Sequence, residues 1–238
     1  MDRLKHNIKK FNNDVQENNG YLYNSNLKYS SIVSNKRITD EIFKLIPKNI
    51  NSIIDIGCGD GTFSNSLKSR FPSIEVTGID PADDAIEIAK KRYGQINFQV
   101  SDLMIENTLP KKKYNLGVLR GVLHHLPNAL TGITNSKILS DSLIIVEPNG
   151  NNPILKLIER KSQYHIEHEE QSFNSEQLKK WIKQSGYKIE YYNYIGFVPF
   201  FFPTFLSKLI YFFQPLLEKI YPLKKYFGAQ IVFFIKAE

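Results

Sequence analysis

Cysteine is almost missing. Cys58 is the single one in 238 residues, which excludes an intramolecular disulfide framework. No long apolar stretch follows the N-terminal Met-Asp-Arg-Leu-Lys-His, so no secretory leader is read and the chain is expected to be cytoplasmic. Uninterrupted apolar runs are lacking elsewhere too. Residues 196–222 hold Phe197, Phe200, Phe201, Phe202, Phe205, Phe212 and Phe213, but Pro199, Pro203, Lys208 and Pro215 break the run. A membrane-spanning helix needs about 20 predominantly apolar residues, so this stretch is a poor match. Charge of one sign is not concentrated either. Lysine and arginine number 31 against 24 acids, for a net charge of +7. The cations are dispersed, and the densest run, Lys111-Lys112-Lys113, reads as a solvated turn. This balance does not point to nucleic acid, although an anionic surface or acidic ligand stays open. His124 and His125 lack clear metal-ligand spacing partners, and the histidines and acids of 164–173, which could bind metal or supply a base, read more plainly as loop and helix-cap chemistry, so no metal is expected.

What is present begins with Ile53-Ile54-Asp55-Ile56-Gly57-Cys58-Gly59-Asp60-Gly61-Thr62. An apolar run ending in alternating glycines reads as a buried strand and the turn that leaves it. A helix over 62–70 and a second strand over 74–79 follow, and that strand ends in Asp80. Asp80 lies 21 residues after Gly59 (80 − 59), close to the spacing of a ribose-binding acid. Glycines let a backbone approach a cofactor, and a carboxylate at the end of the next strand can accept both ribose hydroxyls. The competing reading of Asp80 is a cap for the helix over 82–92.

Further β-α units succeed one another. Strands are predicted over 96–100, ending in Ser101-Asp102-Leu103, over 116–119, and over 142–146. Helices are predicted over 129–139, from Pro153, and over 175–185. Asp102 could take a base amine or serve as a turn residue. His124 and His125 follow a parallel strand, where open α/β sheets place ligands; capping or packing beneath a cofactor is the plainer reading. The polar exit Glu147-Pro148-Asn149-Gly150-Asn151-Asn152-Pro153 follows the next strand. A strand over 189–194 and a last strand over 230–236, antiparallel to its neighbours, complete the pattern. Before all of this, residues 1–48 read as an N-terminal helical cap, with a helix over 35–46. Tyr21, Tyr23 and Tyr29 there either pack on the main domain or wall a substrate pocket. Residues 49–238 form the main domain, and 196–228 form an inserted apolar cap of two short helices. That cap could lie on the chain's own core, on an apolar ligand, on a membrane surface or at a homodimer interface, leaving monomer and homodimer both open.

Repeated β-α units imply a mostly parallel sheet covered by helices. Taken in order, Asp55-Ile56-Gly57-Cys58-Gly59-Asp60-Gly61, Gly78-Ile79-Asp80, Ser101-Asp102-Leu103, Val122-Leu123-His124-His125-Leu126 and the final hydrophobic strand resemble the class I S-adenosylmethionine-dependent methyltransferases. The resemblance implies a Rossmann-like α/β fold, with a mostly parallel seven-stranded sheet and a C-terminal antiparallel strand. It implies S-adenosyl-L-methionine as cofactor. Asp55 and Gly57 would lie near its methionine end, with Gly59 and Gly61 shaping the loop. Asp80 would bind the ribose and Asp102 the adenine amine, with Leu103 against the base. Leu119 through Val122 would line the reaction side. Asn115 stands where the family usually has an acid. The exit after Glu147 looks like that of the small-molecule branch and unlike the Asn/Asp-Pro-Pro-Tyr/Phe motif of DNA amino-methylating enzymes.

The implied partner is therefore a small-molecule methyl acceptor, with an apolar part favoured by the C-terminal phenylalanines, and no nucleic acid. Transfer would be an in-line displacement at the methyl group. His124 or His125 would be the base if an oxygen acceptor needs one, and Tyr21, Tyr23, Glu147 and His165 could shape the acceptor pocket. A dinucleotide-dependent oxidoreductase and a non-catalytic cofactor-binding protein are the alternatives.

Overall fold

The computed structural model describes residues 28–161, 172–200 and 202–238. Tyr21, Tyr23 and His165 lie outside them. Seven strands form one sheet in the order β3-β2-β1-β4-β5-β7-β6. They are β1 (Ser52–Ile56), β2 (Glu75–Asp80), β3 (Asn97–Val100), β4 (Leu116–Arg120), β5 (Ser142–Pro148), β6 (Tyr187–Ile195) and β7 (Gln230–Ala237). β1 through β5 pair in parallel, and β7 runs antiparallel to both β5 and β6. This is the mixed sheet expected from the sequence. Its order reverses between β1 and β4, so a crevice opens at their carboxyl ends.

The helices are α1 (Tyr29–Leu45), α2 (Thr62–Arg70), α3 (Asp83–Arg92), α4 (Ala129–Leu139), α5 (Pro153–Lys161), α6 (Ser175–Gln184), α7 (Thr204–Leu217) and α8 (Tyr221–Phe227). Local chemistry sets their ends. Ile46 stands extended before Pro47, the conformation a proline imposes on its predecessor, and α1 stops there. Asp83 and Asp84 open α3 while Lys90, Lys91 and Arg92 close it, which opposes the helix dipole at both ends. Asn174 Oδ1 accepts the amide of Gln177 at the start of α6.

Successive strand residues point to opposite faces, so the sheet carries two apolar layers. Ile54, Ile56, Leu119, Leu143 and Ile145 meet α4 and α6 on one face. Ile53, Leu116, Val118, Ile144 and Val146 meet α1, α2 and α3 on the other. Ile38, Ile42 and Ile46, in and just after α1, are buried in this second layer, so α1 is part of the main body's core. Asn115 fills the place of the family's acid with an acceptor oxygen. Its Oδ1 accepts the amides of Asn51 and Ser52 and the Ser52 hydroxyl, which fastens the start of β4 to the start of β1.

Residues 196–229 leave β6 and return to β7 at the sheet's carboxyl edge. Ile195 pairs with Gln230, and Gln230 pairs with Pro148. Two short helices form there, α7 and α8. Pro203 precedes α7, while Pro215 lies inside its final turn without ending it. Among the described residues no helix is long and apolar enough to cross a membrane.

Candidate functional site

The glycine turn is held down by β2. The amides of Gly57 and Cys58 both donate to Ile79 O, at 2.8 and 3.0 Å. The Gly59 amide donates to Asp80 Oδ2 at 2.9 Å, and the Ala82 amide donates to Asp80 Oδ1 at 2.9 Å. Asp80 therefore joins the turn to the entry of α3, so its capping reading and its position beside the glycines coexist. Two of the glycines cannot be replaced without conflict. Gly57 has φ +76°, and a Cβ there would stand 2.5 Å from Val122 Cγ2. Gly61 has φ +77°, with Phe98 Cζ 2.7 Å from the same added atom. Left-handed backbone and missing side-chain volume are both used to keep the turn low against the sheet.

Two buried carboxylates flank this turn. Burial pushes Asp80 up to about 6, against the stabilising amides of Ala82 and Gly59. Burial likewise pushes Asp55 up to about 6, opposed by the Ser64 hydroxyl, 2.6 Å away, and by the charge of Arg120. Burial also raises the Cys58 thiol well above its ordinary range, which leaves it a packing group rather than a nucleophile.

Arg120 was not singled out from the sequence. It ends β4 and stacks over the Phe63 ring, 4.8 Å from its centroid. Its hydrogen bonds run to neutral oxygens of α1, Asn35 Oδ1 at 2.8 Å and Thr39 Oγ1 at 3.4 Å. Burial lowers its pKa to about 10. The signal in the sequence was a charge closing an otherwise apolar parallel strand, Leu116-Gly117-Val118-Leu119-Arg120.

Glu147 does something other than face an acceptor. It has no exposed surface. Oε1 accepts the amides of Val122 and Leu123 at 2.9 and 2.7 Å, and Oε2 accepts the His124 amide at 3.3 Å. It thus satisfies the orphan donors of the short 3-10 turn Leu123–His125. The same Oε2 lies 2.7 Å from His124 Nδ1. A carboxylate at Nδ1 favours the tautomer with its proton there and a lone pair on Nε2. The His125 ring lies against that of His124, with centroids 3.9 Å apart.

Leu119 also differs from its expected place. Strand alternation turns it into the α4–α6 core, with no exposed surface, and Val122 is the residue that meets Gly57 from the β4 side. At the other end of the edge, Asp102 is half-buried beyond β3, and its Oδ1 accepts the Met104 amide at 2.8 Å. Leu103 beside it is buried. The exit after β5 is anchored to the insertion. Asn149 Nδ2 donates to Lys225 O and Gly228 O, each at 2.9 Å. One sheet edge thus gathers Asp55, Gly57, Gly59, Gly61, Asp80, Asp102, His124 and His125.

Comparison with known proteins adds to this geometry. A family described as a methyltransferase domain matches residues 23–192. A malonyl-[acyl-carrier protein] O-methyltransferase of Ilyobacter polytropus is 38% identical over 79 residues, 32% of this chain and 29% of that protein. A second such enzyme of the same organism is 28% identical over 149 residues, 60% of this chain and 56% of that protein. The chain therefore spans about half or less of the curated relatives it matches. Magnesium protoporphyrin IX methyltransferase of Synechocystis, solved with bound S-adenosylhomocysteine, shares the fold with a TM-score of 0.63 at 15% identity, covering 90% of this chain and 89% of that one.

Proposed function

The chain belongs to the methyltransferase-domain family, and from that premise we propose that it transfers a methyl group from S-adenosyl-L-methionine to a small-molecule acceptor with an apolar part. One observation carries the cofactor reading. The Gly57–Gly61 turn lies where added Cβ atoms would collide with Val122 and Phe98, and it stands beside a buried carboxylate at the end of β2. Packing of Val122 and Phe98 into the missing side-chain positions keeps the turn low, and the Asp80 carboxylate beside it is the group that would accept the vicinal hydroxyls of a ligand. Each Asp80 oxygen uses one amide here and keeps acceptor capacity for a ribose hydroxyl.

When bound, the cofactor supplies an electrophilic methyl group on a positively charged sulfur. In this reading Asp80 holds the ribose, and Asp102 takes the adenine amine at the far end of the edge. Arg120, whose hydrogen bonds among the described residues run to neutral side-chain oxygens, would hold the carboxylate of the amino-acid tail. Asp55 lies near the amino end of that tail. The O-methyltransferases among the relatives make an oxygen acceptor the first to try. For a hydroxyl acceptor, His124 takes the proton at Nε2, while Glu147 fixes the ring through Nδ1. Glu147 is then a positioning residue and makes no contact with the acceptor. The apolar helices α7 and α8 at the same sheet edge suit an acceptor with a hydrocarbon portion.

Calorimetric titration with S-adenosylhomocysteine tests the cofactor. Asp80→Ala removes two hydrogen bonds to a charged acceptor, so affinity should fall about 100-fold. His124→Ala should leave that affinity unchanged while slowing transfer to a hydroxyl acceptor by about 10²-fold or more. Folded protein that ignores S-adenosylhomocysteine but binds NAD would move the assignment to an oxidoreductase.

A further inference from the structure

Helix α7 is turned inside out. Phe205, Leu209, Phe212 and Leu216 follow one another at helical spacing, a stripe that would ordinarily face a core. They are exposed instead, Phe205 at 81% and Phe212 at 77%. The side chains that α7 buries are polar, Ser207 and Gln214. Ser207 Oγ donates to Pro203 O at 2.9 Å, and Gln214 Oε1 accepts the Phe197 amide at 3.0 Å. The helix satisfies the backbone around it with its polar face and presents its apolar face outward. Ile220, Tyr221, Tyr226 and Phe227 extend the exposed apolar surface over α8.

The charge around this face has one sign. Residues 202–229 contain Lys208, Lys219, Lys224 and Lys225 and a single acid, Glu218. Glu218 is already spent. Arg37 Nε donates to its Oε1 at 2.9 Å and Arg37 Nη2 to its Oε2 at 2.7 Å, and the Gly196 amide adds 2.9 Å to Oε1. Lys208 within α7 and Lys219 just beyond its end are both exposed. A symmetric second copy would bring two sets of these lysines into one interface with Glu218 as the segment's single acid on each side, and like charges across an interface repel. An anionic lipid surface takes both features together, with phenylalanines among the acyl chains and ammonium groups at the phosphates.

We propose that α7 and α8 lie in the plane of an anionic membrane surface and dock the chain there peripherally, with the phenylalanine stripe inserted and Lys208 and Lys219 at the headgroups. The insertion stands at the carboxyl edge of the sheet, which also carries the glycine turn, so docking would bring that edge to the lipid. An acceptor drawn from the membrane then follows, and that last step alone rests on the proposed function.

The test is sedimentation of the full chain with vesicles of phosphatidylcholine alone or mixed with phosphatidylglycerol. Wild type should pellet with the mixed vesicles and about tenfold less with the neutral ones, and raised salt should release it. Phe205→Ser with Phe212→Ser should abolish binding. Lys208→Glu with Lys219→Glu should weaken it about tenfold or more. Both double variants should keep wild-type unfolding temperature and wild-type affinity for S-adenosylhomocysteine, which separates this surface from the cofactor site. Failure of wild type to bind mixed vesicles overturns the proposal. So does equal binding by the serine variant, or equal binding to neutral vesicles. A wild-type dimer that the serine variant converts to monomer, with no vesicle binding by either, overturns it in favour of a second copy of the chain.

Discussion

The glycine-turn region and the α7–α8 insertion share one sheet edge and treat polarity in opposite ways. Around the turn, Asp55, Asp80 and Glu147 are buried, and each is met by donors, a Ser64 hydroxyl in one case and backbone amides in the other two. In the insertion, the phenylalanines point out and Ser207 and Gln214 point in. Burying a carboxylate costs several kcal/mol unless donors surround it, and exposing a phenylalanine costs about 2 kcal/mol unless something apolar covers it. The first region meets that cost within the chain. The second leaves it to a partner.

Breaking the inner region should have the larger effects. Glu147→Ala strands the amides of Val122, Leu123 and His124 in the interior, and should lower stability by about 3–5 kcal/mol in urea unfolding. A loss under about 1 kcal/mol would mean that water replaces the carboxylate and that the region is less dry than its geometry implies. Gly57→Ala forces a left-handed alanine against Val122. It should cost about 2–4 kcal/mol and abolish S-adenosylhomocysteine binding in calorimetry.

Acidification sharpens the comparison further. Asp80 and Asp55 titrate near about 6 when folded, above the ordinary carboxylate range. Their folded forms hold protons more tightly than the unfolded chain does. The stability they contribute is thus fully present below about pH 4 and lost as pH rises through about 6. Ligand binding has the opposite sign, since a protonated Asp80 cannot accept two hydroxyls. Affinity for S-adenosylhomocysteine should fall by up to about tenfold per unit below pH 6, and Asp80→Asn should flatten that slope. The smallest effect belongs to the outer region. Phe212→Ser should change unfolding stability by no more than about 0.5 kcal/mol, since the ring touches little of its own chain. A larger loss would show that the stripe packs on the chain after all.

Much of the fold was legible because its signals are local. β-Branched runs such as Ile53-Ile54 mark buried strands, alternating glycines mark the turn, and the interval from Gly59 to Asp80 places the next strand end. What was not legible depends on partners distant in sequence. Glu147 looked like a pocket acid because nothing near it reveals the amides of 122–124. The family resemblance puts Leu119 at the reaction side, and the residues around it do not show that this position of β4 looks into the core. The apolar run over 196–222 is plain in the sequence, but its composition leaves core, ligand, membrane surface and a second copy open as what it meets. Only the structure reveals that Ser207 and Gln214 claim the inner side of α7.

The pairing of Ile195 with Gln230 has a consequence for engineering. β6 and β7 meet in register as an antiparallel pair before the insertion begins, so the sheet closes without it. Residues 196–229 sit on that hairpin and are tied back to the main body by Asn149, which donates to Lys225 O and Gly228 O, and by Arg37, which donates to Glu218. A two-residue turn would fit the Ile195–Gln230 pair, and another binding segment spliced at the same two ends would have to replace the partners of Asn149 and Arg37. Such chimaeras would test how far acceptor choice and address on the cell's surfaces can be exchanged as one portable part.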